Sequence, residues 1–241
     1  MYKVIEYYKE LDSTQTVVKK LIKKNIEEGV VVVAEKQNKS YGRIRRVWDS
    51  NCGGLWFSIL LRPTIRFSES SKLALLLGLT LNRVLEWKYN VYSEIKWPND
   101  VLVYGKKIAG IIIETSTKHT INWVVAGVGI NVNNDLPEYL LNSAISLKNI
   151  LNVNIDRTYL LSEFLMEFEN LYINFQINGF EQFLEEYNNK IAYRYRYVIV
   201  DNGHSTAVIG ENCGINIDGM LVIKTKDKFE CVTSGTVRLL Q

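Results

Sequence analysis

Three lysines, an amide and a carboxylate fall within one short stretch of this chain. Lys96-Trp97-Pro98-Asn99-Asp100 is followed closely by Lys107-Ile108-Ala109-Gly110. The first segment is strand-forming and ends in a Trp-Pro turn that holds Asn99 and Asp100 together. The chain returns along residues 101–104, turns at Gly105-Lys106 and runs out along 107–114 as an antiparallel hairpin. In that hairpin Lys107 can point back toward a pocket lined by Asn99 and Asp100. A cation, an amide and a carboxylate gathered in an apolar sheet are costly to bury without a use. A surface hairpin with a solvated lysine and aspartate is the plainer reading, and this stretch alone does not choose between them.

Other segments add polar groups of the kind that bind anions. Glu35 to Trp48 is a polar run containing Gly42 and three arginines in four residues, Arg43, Arg45 and Arg46. Arginine suits phosphate because its planar fork donates two hydrogen bonds at once. Trp48 offers a face on which a base can stack, although a tryptophan taken alone is more often a core or rim residue. Ser13 and Thr14 stand where a helix begins. They can serve as its N-cap, or their hydroxyls and the free N–H groups can bind a polar ligand. Gly127-Val128-Gly129 interrupts a buried strand where something approaches the backbone, and Asn131 projects a polar group from the same sheet.

These residues need rigid elements to position them, and the pattern supplies a mixed α+β set. A strand over 1–8 leads to a helix with Val17, Val18, Leu21, Ile22 and Ile26 at helical spacing. Residues 30–34 form a β-branched strand, and residues 55–62 form another that stops at Pro63. A long helix over 70–89 buries Leu73, Leu76, Leu77, Leu81 and Leu85. After the hairpin come a strand over 121–132, a helix from Arg157, capped by Asp156, to about residue 175, and a helix over about 180–189. From Tyr193 the pattern changes to short strands over 195–200, 205–209, 220–224 and 229–232, with turns at Asn202-Gly203 and Asp218-Gly219. The expected organisation is a larger α+β domain over 1–192 and a small β-barrel over 193–241.

Composition narrows the class. The chain has 241 residues, 47% of them hydrophobic and 23% charged, within the ordinary range for a globular protein. A net charge of +3 is too small for a nucleic-acid platform. Cys52, Cys213 and Cys231 form no CxxC pair and fit free thiols in a reducing compartment. His119 and His204 lie beside no nucleophile, which speaks against histidine-based chemistry. Neither a signal peptide nor a membrane span is legible, so a cytoplasmic protein with no membrane partner is expected.

Six separated segments then agree in order: Leu11-Asp12-Ser13-Thr14, Gln37 with the Gly42-Arg43 loop and Trp48, Gly54-Leu55-Trp56-Phe57-Ser58, Lys96-Trp97-Pro98-Asn99-Asp100, Lys107-Ile108-Ala109-Gly110 and Gly127-Val128-Gly129-Ile130-Asn131. Together they resemble a biotin–protein ligase, also called biotin–[acetyl-CoA-carboxylase] ligase. The resemblance spans nearly the whole chain, and its most specific part is the Lys-Trp-Pro-Asn-Asp turn followed by Lys-Ile-Ala-Gly. It implies a mixed-sheet catalytic domain akin to class II aminoacyl-tRNA synthetases, followed by an SH3-like barrel. The motif begins at residue 11, which leaves no room for the DNA-binding winged helix of some relatives. The expectation is a ligase without repressor function or DNA.

The resemblance further implies two steps, biotin activation by ATP to biotinyl-5′-AMP and transfer to a lysine of a biotin carboxyl carrier protein or domain. It assigns catalysis to Lys107, Arg43, Asn99 and Asp100. Biotin falls to Ser13, Thr14, Gln15, Gln37, Tyr41, Gly42, Arg43, Lys107, Gly110 and Gly127. ATP falls to Arg43, Arg46, Trp48, Asn99, Lys107 and Asn131, and Mg²⁺ to Asp100. A homodimer follows only by analogy. The chain departs from the family's Gly-Arg-Gly-Arg-Arg-Gly-Arg loop: Ser40 and Arg45 replace glycines, and Tyr41 and Ile44 replace arginines. Fewer glycines predict a stiffer loop, more ordered before ligand arrives and leaning on Arg43 and Arg46. A lipoate or octanoate ligase shares the architecture, but its Arg-Arg-x-Ser-Gly-Gly-Gly loop is missing here. An inactive biotin-holding homologue would not need Arg43, Asn99, Asp100 and Lys107 together, and a nucleic-acid role ranks third.

Overall fold

The valine run that opens the central sheet decides which helix lies on which face. In a computed structural model that describes residues 2, 4–116, 121–201, 203 and 207–240, Val31 and Val33 join the main core. Val30 and Val32 pack on the opposite face with Val18, Leu60 and Val125. Alternation along a strand buried on both sides requires this division. The elements are β1 (Val4–Leu11), α1 (Thr14–Ile22), β2 (Val30–Gln37), β3 (Leu55–Leu61), α2 (Lys72–Tyr89), β4 (Glu94–Lys96), β5 (Asp100–Val103), β6 (Lys106–Thr115), β7 (Val124–Ile130), α3 (Leu147–Leu151), α4 (Arg157–Asn178) and α5 (Glu181–Lys190). A second group follows: β8 (Tyr197–Asp201), β9 (Val208–Ile215), β10 (Leu221–Lys224), β11 (Phe229–Val232) and β12 (Thr236–Leu239).

The first sheet has seven strands in the order β1-β2-β3-β7-β6-β5-β4, with β1 parallel to β2 and the other pairs antiparallel. Helices α2 and α4 cover one face. The expected leucine stripe of α2 is fully buried there, alongside Phe164 and Phe168 of α4. Helix α1 covers part of the other face and leaves the rest as the wall of a cavity. The second sheet has five strands in the order β11-β10-β9-β8-β12. Its apolar residues, among them Val198, Val200 and Ile223, continue the main core, and Trp97 Nε1 donates to Gly219 O at 3.0 Å across the junction.

Several boundaries differ from the sequence expectation. Strand β1 runs to Leu11, and α1 ends at Ile22 because the chain turns through Asn25 at φ 55°; Ile26 still packs beneath it. The hairpin turns at Tyr104-Gly105, both at positive φ, so Lys106 is already in the ladder. The strand expected over 205–209 is β9, Val208–Ile215. Gly210 hid it, yet only glycine fits there: a Cβ would lie 2.4 Å from Lys224 O. Helix α3 and strand β12 were not anticipated, being only five and four residues long. His119, His204, Asn202 of the expected turn and Ser205 of the expected strand lie outside the described residues. The three cysteines are free, and among the described residues no helix is long and apolar enough to cross a membrane.

Candidate functional site

The position of Lys107 depends on an irregularity in β6. Asp100 and Val101 pair with Gly110 and Ala109, but Leu102 and Val103 pair with Lys107 and Lys106. The one-residue shift is a β-bulge, which re-aims a side chain. Strict alternation would put Lys107 on the opposite face from Gly110. With the bulge, Ile108 enters the core and Lys107 joins Gly110 on the cavity wall. Lys107 Nζ lies 2.6 Å from Asp100 Oδ1, a tight ion pair not aligned as a hydrogen bond, and sits 4.8 Å from the Trp48 ring centre.

The Trp97-Pro98 peptide is cis, and the turn holds Asn99 against β6. Its Nδ2 donates to Ile111 O at 2.9 Å and its Oδ1 accepts from Arg43 at 3.1 Å. Arg43 also donates to Gly235 O at 3.1 Å, so the loop tip bridges both sheets. Burial lowers the Arg43 pKa; Asp100 opposes that shift and Arg46 adds to it.

The other end of the cavity is polar and uncharged. Ser13 occupies the N-cap position of α1 but its side chain caps nothing. The Thr14 hydroxyl contacts Ser58 Oγ at 2.7 Å, and the Thr14 N–H donates to Gln37 Oε1 at 2.8 Å. Gln15 is 4% exposed, yet neither end of its amide has a hydrogen-bond partner. A buried, unsatisfied amide is costly to keep, and here it faces a cavity of about 710 Å³, a size ordinary for small-molecule sites.

Every candidate site residue from the sequence lines this one cavity: Ser13, Thr14, Gln15, Gln37, Tyr41, Gly42, Arg43, Arg46, Trp48, Asn99, Asp100, Lys107, Gly110, Gly127 and Asn131. Gly110 and Gly127 leave room for protein side chains. A Cβ at Gly110 would lie 3.0 Å from Trp48, and one at Gly127 3.0 Å from Gln15. Trp48 rests on Gly110 and Gly129 with its Nε1 buried and unpartnered. Asn131 Oδ1 accepts from Asn134 at 3.2 Å.

Sequence reasoning quoted Lys96 within the motif and gave it no role. Lys96 lines the cavity beside Asp100, its strand partner. Burial lowers its pKa; Asp100 opposes the shift, while Lys107 and Arg238 reinforce it. The segment Gly235, Thr236 and Val237 also lines the cavity and was missed, because nothing local marks β12 as part of a site. Asp100 is one carboxylate, and among the described residues no group of three or more His, Cys, Asp or Glu could hold a metal ion.

The 40–48 loop is closed over this site. Trp48 N donates to Ser40 O at 3.2 Å and Gly42 N to Arg46 O at 2.8 Å. Ile44 and Arg45 sit consecutively at φ 54° and 55°, which costs an L-residue on the order of 1–2 kcal/mol each. A residue other than glycine at Arg45 thus strains the loop in this conformation.

A mixed-sheet catalytic unit of the class II aminoacyl-tRNA synthetase kind, joined to a C-terminal β domain, frames this cavity. The chain belongs to the biotin/lipoate A/B protein ligase family, whose model matches residues 7–131. It is similar to the bifunctional ligase/repressor BirA of Bacillus subtilis (strain 168), 34% identical over 241 residues, covering 97% of this chain and 73% of that protein. It is also 30% identical over 218 residues to the biotin–[acetyl-CoA-carboxylase] ligase of Mycobacterium tuberculosis, covering 87% of this chain and 79% of that one. The structure of the biotin protein ligase from Aquifex aeolicus in complex with biotin and ATP matches over 100% of both chains, with a TM-score of 0.90 and 32% identity.

Proposed function

We propose that this protein is an ATP-dependent biotin–protein ligase. One observation carries the reading: a single cavity runs from uncharged hydrogen-bonding groups at the start of α1 to a cluster of cations around Lys107. A urea-like head fits the first end, and a carboxylate meeting a triphosphate fits the second. Ser13, Thr14, Gln15 and Gln37 take the ureido end of biotin, with Gln15 gaining the partners it lacks. Tyr41 and Gly42 border the same ligand.

In the first step a biotin carboxylate oxygen attacks the α-phosphorus. The acyl–phosphate bond forms, the bond to the β-phosphate breaks and pyrophosphate leaves. The reaction needs positioning and charge stabilisation more than covalent help from the enzyme. Lys107 stands between the two anions, released from Asp100 as they arrive. Arg43, held by Asn99, binds the α-phosphate, with Arg46 and Lys96 extending the cationic wall. Trp48 offers its outer face to adenine, since Lys107 covers the other, and Asn131 reaches the nucleotide. Asp100 would hold the Mg²⁺ that accompanies ATP, which would offset charge on the phosphates. In the second step an acceptor lysine amine attacks the acyl carbonyl, the amide forms and AMP departs.

The acceptor in this reading is a biotin carboxyl carrier protein or domain. The rest of the reading is a division at 192/193, a cytoplasmic location and a homodimer, whose mass sedimentation measures. Exchange of labelled pyrophosphate into ATP tests the core of the proposal. Biotin supports exchange, while lipoate and octanoate do not. Exchange with lipoate alone moves the chain to the other branch of its family, and no exchange with any of the three refutes the reading.

A further inference from the structure

Two residues outside the cavity hold the phosphate-binding loop in place. Glu114, near the end of β6, accepts from Lys19 Nζ of α1 at 2.7 Å and from the Tyr41 hydroxyl at 3.1 Å. Lys19 also donates to the Tyr41 oxygen at 3.3 Å, and the Arg45 guanidinium lies 4.3 Å from the centre of the Tyr41 ring. Burial works against the Lys19 charge, but its contacts with Glu114 and Tyr41 outweigh that and raise its pKa. The base of the loop is fastened separately: Ser40 Oγ donates to Trp48 O at 2.5 Å, and Ser50 Oγ donates to Ser40 Oγ at 2.8 Å. These bonds use Ser40 and Tyr41, the positions where the resemblance expects glycine and arginine.

The loop has reasons to open. It carries two left-handed non-glycine residues in a row and three like charges, Arg43, Arg45 and Arg46. Something must offset both. We infer that Glu114 and Lys19 are positioning residues that hold the 40–48 loop closed through Tyr41 before either substrate arrives, so that ATP finds its site formed without biotin. The inference rests on the ligase reading for the identity of the ligands, but not for the order of the loop. Neither Glu114 nor Lys19 lines the cavity, so replacing them removes no group that faces substrate and acts only through the position of the loop.

Calorimetric titration of the full chain with α,β-methylene-ATP, with and without saturating biotin, tests this. In the wild type, biotin changes the affinity less than about threefold. Losing one partly exposed charge-assisted bond in Glu114→Ala lowers the competent fraction, weakening the analogue about fivefold without biotin. Saturating biotin restores most of that affinity, and turnover with both substrates saturating stays within about twofold. Lys19→Met behaves the same way, and Glu114→Gln, which keeps an acceptor for Tyr41, falls between. Equal weakening with and without biotin, or tenfold tightening of the wild type by biotin, overturns the inference. Ligand-free amide exchange over 40–48 supplies a test independent of substrate identity. Protection in the wild type that is lost in Glu114→Ala supports the inference, and equal rates refute it. A protected loop in a chain that binds no biotin refutes the ligase reading and leaves the fastening intact.

Discussion

Replacing Lys96 with methionine should make the protein more stable and a poorer user of ATP. The Lys96 ammonium is partly withdrawn from water, and no hydrogen bond or ion pair compensates it among the described residues. Burial lowers its pKa, Asp100 opposes this, and Lys107 and Arg238 add to it. For a lysine that direction means the unfolded chain binds the proton more tightly. The penalty is therefore fully present at neutral pH and is relieved as pH rises through the folded pKa toward the unfolded value. Exchanging even a buried ion pair for well-packed hydrophobes of similar volume is often stabilising by about 1–4 kcal/mol, because desolvation outweighs the attraction. For a partly buried ammonium the low end applies, about 1 kcal/mol, or about 2–4 °C in Tm for a chain of this length. The loss on the other side is one charge-assisted bond to phosphate, about 1.5–3 kcal/mol, which is about 10- to 100-fold in KM for ATP. Thermal unfolding at pH 7 and pyrophosphate exchange at varied ATP read the two effects, and biotin affinity should hold steady. A destabilised variant with an unchanged ATP KM would show that the lysine is a packed, solvated bystander and refute the argument.

Lys107→Gln should lower the adenylation rate on the order of a hundredfold or more, as removal of a preorganised charge donor does, with a smaller loss in biotin affinity; equal single-turnover rates would remove Lys107 from its role. Gly129→Ala places a Cβ 2.8 Å from Trp48 Nε1. Since the β7 backbone cannot give way, the indole must lift, giving a shifted tryptophan emission and a severalfold higher ATP KM. Glu35 accepts from Gly53 N at 3.0 Å and pairs with Arg157 at 2.8 Å. Burial opposes its ionisation, but Arg157, Tyr7 and the Gly53 N–H outweigh it and its pKa is lowered. Its contribution to stability is thus present above the ordinary value of about 4.3 and fades as pH falls through the lowered one. Glu35→Gln should be less stable than the wild type at pH 7, with a gap that narrows below about pH 4 in thermal melts.

The strongly periodic elements were readable because a single force dominates them. The leucines of α2 and the valines of β2 alternate or recur as burial requires, and both landed as expected. The site residues were found through spaced motifs, and all of them line one cavity. What escaped was set by partners distant in sequence. Gly210 reads as a strand breaker until Lys224 O is placed against it. Gly235 joins the site only because Arg43 reaches it across the junction. Lys96 was visible as a letter in the motif, but its lack of a partner is a three-dimensional fact.

Several positions where local rules fail border the cavity of the proposed chemistry. A regular β6 would bury Lys107 and expose Ile108, and the bulge reverses both. A relaxed loop would place glycine at residues 44 and 45, yet Ile44 and Arg45 hold left-handed backbone. A well-satisfied site would not keep the Gln15 amide unpaired, or leave Lys96 without a hydrogen bond or ion pair among the described residues. Each departure costs free energy in the empty protein, and in the proposed reaction each is relieved or used when an anion or a urea-like group arrives. Four departures of different kinds thus meet at one cavity. They are what a site prepared for two negatively charged substrates requires, because charges and donors fixed in advance need no rearrangement as the phosphoanhydride breaks.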